Sequence, residues 1–241
     1  MAVDILAIGA HPDDVELSAA GTLLRQADRG HTFGLADLTL GELGSRGSAA
    51  LRTEEAYTAA RLLGAAFRIQ LDLPDGFFEY SRDSLLQIIR LIRRHRPRIV
   101  LCNAPNDRHP DHGKAARLVA DACFYSGLVK IETLDDCGAT QEPWRPQSVF
   151  HYIQDRHLTP DFIVDITPYF ERKMQAIRAF RSQFYDPERP NEGPQTPISG
   201  KDFLDFMEAK ARVFGRSAHV RYAEGFICSR TPALRDLFDL Y

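Results

Sequence analysis

The chain has 241 residues, of which 44% are hydrophobic and 26% are charged, and its formal net charge is −3. This length suits one substantial α/β domain or two small ones, and so small a net charge gives no global field that favours nucleic acid or an anionic membrane. The four cysteines show no CxxC spacing, which is typical of reduced thiols and not of a disulfide framework or a zinc–thiolate site. No apolar run approaches about 18 residues, and the N-terminus leads directly into a predicted strand. We therefore expect a soluble, cytoplasmic protein without a membrane span.

The first half of the chain alternates between short apolar runs and amphipathic segments. Predicted strands cover residues 3–9, 32–38, 67–73 and 99–103, and predicted helices begin near residues 15, 51, 85 and 111. Such alternation predicts right-handed βαβ units, a mostly parallel sheet and helices on both of its faces. We predict a Rossmann-like three-layer α/β/α fold with the strand order 3-2-1-4-5.

The second half is less regular. Further strands are predicted at 148–154 and 162–166, Thr167-Pro168 suits the start of a helix, and another helix covers about 201–214 before a short tail. Residues 185–200 contain four prolines and predict an irregular loop, which is a lid, a subunit contact or a passive connection. We predict one domain over 1–241, with a Rossmann-like core at 1–130 and a smaller C-terminal α/β extension at 131–241.

Two clusters of polar residues follow the first and fourth predicted strands. They read His11-Pro12-Asp13-Asp14 and His109-Pro110-Asp111-His112. In open parallel sheets, ligands bind beyond the carboxyl ends of the strands, where the strand order reverses. Strands one and four are neighbours at that reversal, about 5 Å apart. We therefore expect the two clusters to meet in one crevice.

The composition of the first cluster indicates a divalent metal. The turn contains neither GxGxxG nor GxxxxGK, and its two carboxylates would repel a pyrophosphate, which argues against a nucleotide. Two histidines with one carboxylate are a common catalytic metal set. His11 and Asp14 are three residues apart at a helix entry and point the same way. Asp13 points elsewhere, beside the metal, where a general base belongs.

The second cluster supplies the remaining ligand. Spacing alone does not separate His109 from His112 for this role, and Asp111 is able to orient either ring.

At this point the residues resemble a known family, the PIG-L/LmbE-like N-acetylglucosaminyl deacetylases. The resemblance rests on residues 10–16 with Gly21-Thr22-Leu23 and on residues 107–112, and weaker matches lie at 38–44, 52–56, 73–75, 182–184 and 222–226. Within the family, the sequence most resembles the bacillithiol-biosynthesis deacetylases, which remove acetyl from N-acetylglucosaminyl-malate.

The resemblance implies roles for the residues of the two clusters. It implies that His11, Asp14 and His112 bind Zn²⁺, with Fe²⁺ as the alternative in vivo. Asp13 is then the general base for attack by a zinc-bound water. His109 is the group that stabilises the oxyanion or protonates the leaving amine.

Other site residues are expected from the same resemblance and from the loops. Asp111 would orient His109, and Arg52 would bind a sugar hydroxyl. Glu42, in a Gly-rich loop, and Arg108, beside the second cluster, are predicted substrate contacts. Some relatives place a tyrosine over the site; none is assigned here, and Phe203 is the candidate for that position. The resemblance also implies a homo-oligomer, such as a hexamer or a trimer of dimers.

The leading functional interpretation is metal-dependent deacetylation of an N-acetylglucosaminide, and the resemblance implies N-acetylglucosaminyl-malate, in bacillithiol biosynthesis, as the substrate. Another N-acetylglucosamine conjugate or a chito-oligosaccharide is the alternative within this class. A non-haem iron oxygenase also uses two histidines and a carboxylate, but its reaction gives Asp13 no role. A metal-binding sensor or scaffold without turnover is the third interpretation.

Overall fold

A computed structural model of the chain describes residues 1–188, 193–234, 236 and 238. In these ranges the strands are β1 (Ile5–Gly9), β2 (Phe33–Asp37), β3 (Arg68–Gln70), β4 (Ile99–Asn103), β5 (Ser148–Tyr152), β6 (Phe162–Asp165) and β7 (Ala223–Cys228). They form one sheet in the order β3-β2-β1-β4-β5-β7-β6. The first five strands in this order are parallel, and β7 pairs antiparallel with both β5 and β6. The predicted mostly parallel sheet with the order 3-2-1-4-5 is therefore confirmed.

Helices cover both faces of the sheet. They are α1 (Asp14–Asp28), α2 (Ala49–Leu63), α3 (Arg82–His95), α4 (Pro110–Tyr125), α5 (Phe170–Arg178) and α6 (Lys201–Arg216). Leu6 and Ile8 of β1 pack with α3 and α4, while Ile5 and Ala7 pack with α1, α2 and α5. A strand buried on both faces needs a continuous apolar run, which is what β1 has. The result is the predicted three-layer α/β/α arrangement. None of the helices in the described ranges combines the length and the apolar character that crossing a bilayer requires.

Two expectations for the second half were wrong. The segment that contains β7 was predicted as a tail, but it pairs inside the sheet between β5 and β6. Glu224 and Gly225 interrupt its apolar pattern, and Glu224 is tolerated because its buried carboxylate accepts from Lys173 at 2.6 Å. Thr167 does not cap a helix with its side chain; it begins a 3₁₀ turn, Thr167–Tyr169, and its backbone N–H donates to Oδ1 of Asp165 at 2.9 Å.

A buried ion-pair network joins the sheet to α1 behind the first cluster. Arg68 of β3 donates to Oδ2 of Asp37 at 2.8 Å and to Oε1 of Glu16 at 2.5 Å, and all three side chains are fully buried. Burial raises the pKa of Glu16, although Arg68 opposes the rise. Each charge in this network therefore depends on the others for its compensation.

Candidate active site

The turn between β1 and α1 is tightly constrained. A Cβ atom on Gly9 would lie 2.9 Å from the carbonyl oxygen of His11 and 3.0 Å from Cβ of Asp14, so the turn closes only over a glycine. Asp13 has φ 110°, a conformation that side-chain-bearing residues rarely adopt. Such strain persists only where the surroundings over-determine it, and it is frequent at functional sites. Here it places Asp13 and Asp14 side by side in the wall of one cavity.

The structure brings the two clusters together. The ring centroid of His11 lies 4.6 Å from that of His109 and 5.5 Å from that of His112. Nδ1 of His11 lies 3.7 Å from Oδ2 of Asp14, and Nε2 of His112 lies 3.3 Å from Oδ1 of Asp14. Ligands of a tetrahedral metal at about 2.1 Å stand about 3.4 Å from one another. The distances from Asp14 to His11 and to His112 are each close to this value, although they join the histidines to different oxygens of the carboxylate.

Carboxylates hold the opposite ring nitrogens of both histidines. Nε2 of His11 lies 3.0 Å from Oδ1 of Asp75 and 3.4 Å from Oδ2 of Asp111. Nδ1 of His112 lies 2.6 Å from Oδ2 of Asp107. Because a carboxylate accepts, these nitrogens carry hydrogens, which leaves Nδ1 of His11 and Nε2 of His112 to bind a metal.

The charges of these side chains also suit a cation. Burial alone would lower the pKa of both histidines, but the surrounding carboxylates raise the pKa of His11 to about 10 and that of His112 to about 9. Burial would raise the pKa of Asp14, yet the charges of His112 and His11 hold it well below its usual range. His11 and His112 therefore carry positive charge beside an ionised Asp14. A divalent metal would supply positive charge at the same place instead of their protons.

His109 presents a hydrogen-bond donor to the same cavity. It caps α4, and its Nδ1 accepts from the backbone N–H of Asp111 at 3.3 Å. A neutral imidazole that accepts at Nδ1 carries its hydrogen on Nε2. Nitrogen atoms of His11, His109 and His112 lie within 4.8 Å of one another, which makes the three histidines an alternative ligand set. The hydrogen bond at Nδ1 of His109 favours a donor role for its Nε2.

The carboxylate of Asp111 does not orient His109, contrary to the sequence expectation. Its Oδ2 contacts Nε2 of His11 and accepts from the backbone N–H of Gly76 at 2.8 Å, while Oδ1 accepts from Lys114 at 3.0 Å. The reason is the fixed direction of side chains at the start of α4, where only the backbone N–H of Asp111 faces His109. His11, Asp75 and Asp111 also lie close enough to hold a metal. Both carboxylates already accept hydrogen bonds there, so this group serves to orient His11.

Arg52 of α2 lies against the first cluster. It donates from Nη1 to the carbonyl oxygen of Gly41 at 2.8 Å and from Nη2 to that of Pro12 at 2.9 Å, and Nη2 lies 3.4 Å from Oδ2 of Asp13. Burial raises the pKa of Asp13 to about 7, and the charge of Arg52 opposes that rise. The buried Nε of Arg52 has no hydrogen-bond partner among the described residues.

The two other predicted substrate contacts differ in position. Arg108 lines the cavity, but its Nε donates to Oδ2 of Asp155 at 2.9 Å. Glu42 is not part of the described cavity wall; its Oε1 accepts from the backbone N–H of Asp75 at 2.8 Å. The predicted substrate contact of Glu42 is therefore not seen, because the carboxylate is used to join its loop to the loop that contains Asp75.

The cavity has a volume of about 500 Å³. Phe77 and Leu43 lie at its mouth and are 74% and 59% exposed. Phe203 lines it, as expected, and the described wall includes no tyrosine. The loop predicted over 185–200 contributes Thr196, Pro197 and Ile198 to the wall; its residues 189–192, which include Arg189, lie outside the described ranges.

Four side chains of the site were missed at the sequence level. Asp75 and Asp107 hold the metal-facing histidines, as described above. Asn103 and Gln154 donate to Asp14 at 2.9 Å and 2.6 Å. The signal available for the last two was their position, since each is a single polar residue at or just after the carboxyl end of a buried parallel strand.

Known proteins share the sequence pattern and the fold of this chain. Residues 6–123 match the family model described as GlcNAc-PI de-N-acetylase, PIG-L. The chain is 31% identical over 231 residues to the diacetylchitobiose deacetylase of Thermococcus kodakarensis, covering 92% of this chain and 81% of that protein. The chain belongs to the PIG-L family.

Two further PIG-L relatives are informative. The chain superposes on the crystal structure of a conserved protein from Thermus thermophilus with a TM-score of 0.85, at 34% identity and with 98% of each chain covered. It is 25% identical over 194 residues to a protein of Bacillus anthracis named as a probable N-acetyl-alpha-D-glucosaminyl L-malate deacetylase 2, covering 75% of this chain and 81% of that protein. Deacetylation is the activity named for the relatives from Thermococcus kodakarensis and Bacillus anthracis, and both names indicate substrates of the N-acetylglucosamine type.

Proposed function

We propose that this PIG-L protein removes the acetyl group from an N-acetylglucosamine conjugate by metal-assisted hydrolysis. The observation that carries the proposal is the arrangement of His11 and His112 around Asp14, with Asp13 and His109 beside them in one cavity. A metal-binding protein without turnover needs the first three side chains and has no use for a strained carboxylate and a histidine donor at the same place.

The donor set of two imidazoles and one carboxylate suits Zn²⁺. When bound by His11, Asp14 and His112, the metal would polarise the amide carbonyl and acidify a water molecule. Asp13 takes a proton from the attacking water, whose oxygen bonds to the carbonyl carbon. Nε2–H of His109 donates to the oxygen that becomes negative. The C–N bond then breaks, Asp13 returns the proton to the nitrogen, and the products are acetate and a free amine.

The sugar would contact Arg52, which lines the cavity beside Asp13. The contacts of Nη1 and Nη2 with backbone carbonyls keep the guanidinium in place there.

The charges of the cavity support an uncharged aglycone. Malate carries two carboxylates and requires cations, but Arg52 and Arg108, the arginines of the described wall, already face Asp13 and Asp155. We therefore propose a neutral glycan, such as a chito-oligosaccharide, as the substrate. N-acetylglucosaminyl-malate, which the sequence predicted, is the alternative.

The test is amine release from a panel of N-acetylglucosaminides that differ only at the anomeric substituent, using zinc-loaded protein without oxygen. We expect amine and acetate in equal amounts and a higher kcat/KM for N,N'-diacetylchitobiose than for N-acetylglucosaminyl-malate. No release from any of the compounds would overturn the deacetylase and support a non-catalytic metal protein. Dependence of turnover on oxygen would support the oxygenase. Preference for the malyl compound would overturn only the neutral aglycone.

A further inference from the structure

Two buried carboxamides hold the Asp14 carboxylate from its two sides. Nδ2 of Asn103 donates to Oδ2 at 2.9 Å, and Nε2 of Gln154 donates to Oδ1 at 2.6 Å. Asn103 is fully buried and Gln154 is 7% exposed, so water does not compete for these bonds. The amides also contact each other, since Nδ2 of Asn103 lies 3.2 Å from Oε1 of Gln154.

The two oxygens of Asp14 differ in how many of their lone pairs accept hydrogen bonds. Oδ2 accepts from Asn103 and from the backbone N–H of His11 at 3.0 Å, and these two bonds use both of its lone pairs. Oδ1 accepts from Gln154 and keeps one lone pair, on the side where Nε2 of His112 lies at 3.3 Å. Of the two oxygens, Oδ1 alone has a lone pair that is free for a metal.

The fold fixes both amides independently of the metal. Asn103 is the last residue of β4, and its Oδ1 accepts from the backbone N–H of Ala10 at 2.9 Å, which ties it to the turn after β1. Gln154 follows β5, and its carbonyl oxygen accepts from the buried side-chain nitrogen of Lys210. The preceding residue, Ile153, donates from its backbone N–H to Gly225 of β7 at 3.0 Å. Neither amide needs a metal to take up its position.

We infer that Asn103 and Gln154 are positioning residues for the metal, and that they restrict Asp14 to binding it through Oδ1 alone. The inference rests on the metal site of the proposed function. Without the bond from Gln154, Oδ1 loses the donor that fixes its direction, while Oδ2 stays held by Asn103 and by the backbone N–H of His11. The dissociation constant for the metal then rises. Residues that orient a metal ligand in this way typically contribute about 10- to 100-fold to affinity.

The test compares Gln154→Met with Gln70→Met. Methionine matches the length of glutamine but donates no hydrogen bond. Gln70 is a fair control because its Nε2 also donates to a buried carboxylate, Oδ2 of Asp37 at 3.0 Å, away from the site. The dissociation constant for Zn²⁺ is measured by competition with a chromogenic chelator, and the Tm of the metal-free proteins is measured beside it. The visible absorption of the Co²⁺-loaded proteins reports the coordination number.

We expect Gln154→Met to raise the dissociation constant for Zn²⁺ by about 10- to 100-fold. The Co²⁺ bands should keep their intensity, because Oδ2 of Asp14 retains both of its hydrogen bonds. Gln70→Met should lower the Tm and leave both metal readouts unchanged. An equal dissociation constant for Gln154→Met and the wild type would overturn the inference, whatever the activity of either protein. If the wild type binds no Zn²⁺, the metal site itself falls together with the inference. Should Gln154→Met not fold, Gln154→Asn, whose amide is one methylene too short to reach Oδ1, is held to the same outcomes.

Discussion

Nη2 of Arg52 lies 3.4 Å from Oδ2 of Asp13 and also donates to the carbonyl oxygen of Pro12, the residue before that aspartate. One guanidinium therefore fixes the backbone of the turn and tunes the charge of its carboxylate. The turn is strained at Asp13, with φ 110°, and Arg52 is part of what maintains it.

Replacing Arg52 by glutamine should move the acid limb of the activity profile to higher pH. Burial raises the pKa of Asp13, and Arg52 is the largest influence that lowers it, so loss of the cation raises it further. The base form of Asp13 is then available only at higher pH. The measurement is kcat/KM against pH for wild type and Arg52→Gln. If the acid limb stays at the same pH in Arg52→Gln, the group that produces it is not Asp13.

Replacing Asp13 by asparagine should remove most activity and leave the metal bound. General base catalysis contributes about 10²- to 10⁴-fold, and asparagine cannot accept the proton. Asparagine also tolerates positive φ, so the turn should be kept. Turnover and zinc content are measured together, with Asp28→Asn, an exposed position at the end of the same helix, as the control. Full turnover of zinc-loaded Asp13→Asn would exclude its role as the base.

The buried network of Arg68 should matter far more to stability than an exposed ion pair. Arg68→Met leaves Asp37 and Glu16 buried without their cation, which costs about 3–5 kcal/mol of the free energy of unfolding. Arg94 and Asp136 form a pair at 2.6 Å whose side chains are 49% and 73% exposed, and Arg94→Met should cost about 0–1 kcal/mol. The free energies of unfolding of the two variants and the wild type are measured by urea unfolding. Similar losses of stability in Arg68→Met and Arg94→Met would contradict the prediction.

Lys210 should make stability depend on pH in the alkaline range. Burial, with the nearby charge of Lys173, lowers its pKa from 10.5 to about 7 in the folded protein. Between these values the unfolded chain binds the proton and the folded chain does not, so the contribution of Lys210 to stability rises with pH by up to about 1.4 kcal/mol per pH unit. The free energy of unfolding of the wild type minus that of Lys210→Met should therefore increase from pH 7 to pH 10. A constant difference would mean that the ammonium keeps its proton when buried.

Phe77 should influence the aglycone and leave the chemistry unchanged. Its ring is 74% exposed at the mouth of the cavity, where a second sugar ring would cover it. Covering about 50 Å² of apolar surface contributes roughly 1.3 kcal/mol, so Phe77→Ala should raise KM for N,N'-diacetylchitobiose by about tenfold. The kcat for this substrate and the KM for N-acetylglucosamine itself should not change. A fall in kcat alone would contradict this placement of the second ring.

The sequence predicted those parts of the fold and the site that depend on a pattern within one short segment. Strands such as β1 and β4 are continuous apolar runs, and the two clusters follow them directly, so the crevice and the residues in it were foreseeable. β7 was not, because Glu224 is stabilised by Lys173, which is distant in the sequence. The partner of Asp111 and the amides on Asp14 depend on side-chain directions across neighbouring strands, which no single segment encodes. The homo-oligomer and the cytoplasmic location remain predictions.

The position of β7 has a consequence for how the protein is made. It is the last strand along the described chain, yet it lies between β5 and β6, and the backbone N–H of Ile153 bonds to it. A ribosome releases strands in chain order, so β5 emerges long before its neighbour exists. Until β7 is synthesised, the segment that carries Gln154 lacks the bond from Ile153 to Gly225 that helps to hold it beside Asp14. Nascent chains halted before residue 223 should therefore hold zinc weakly, although all of the proposed ligands are already present.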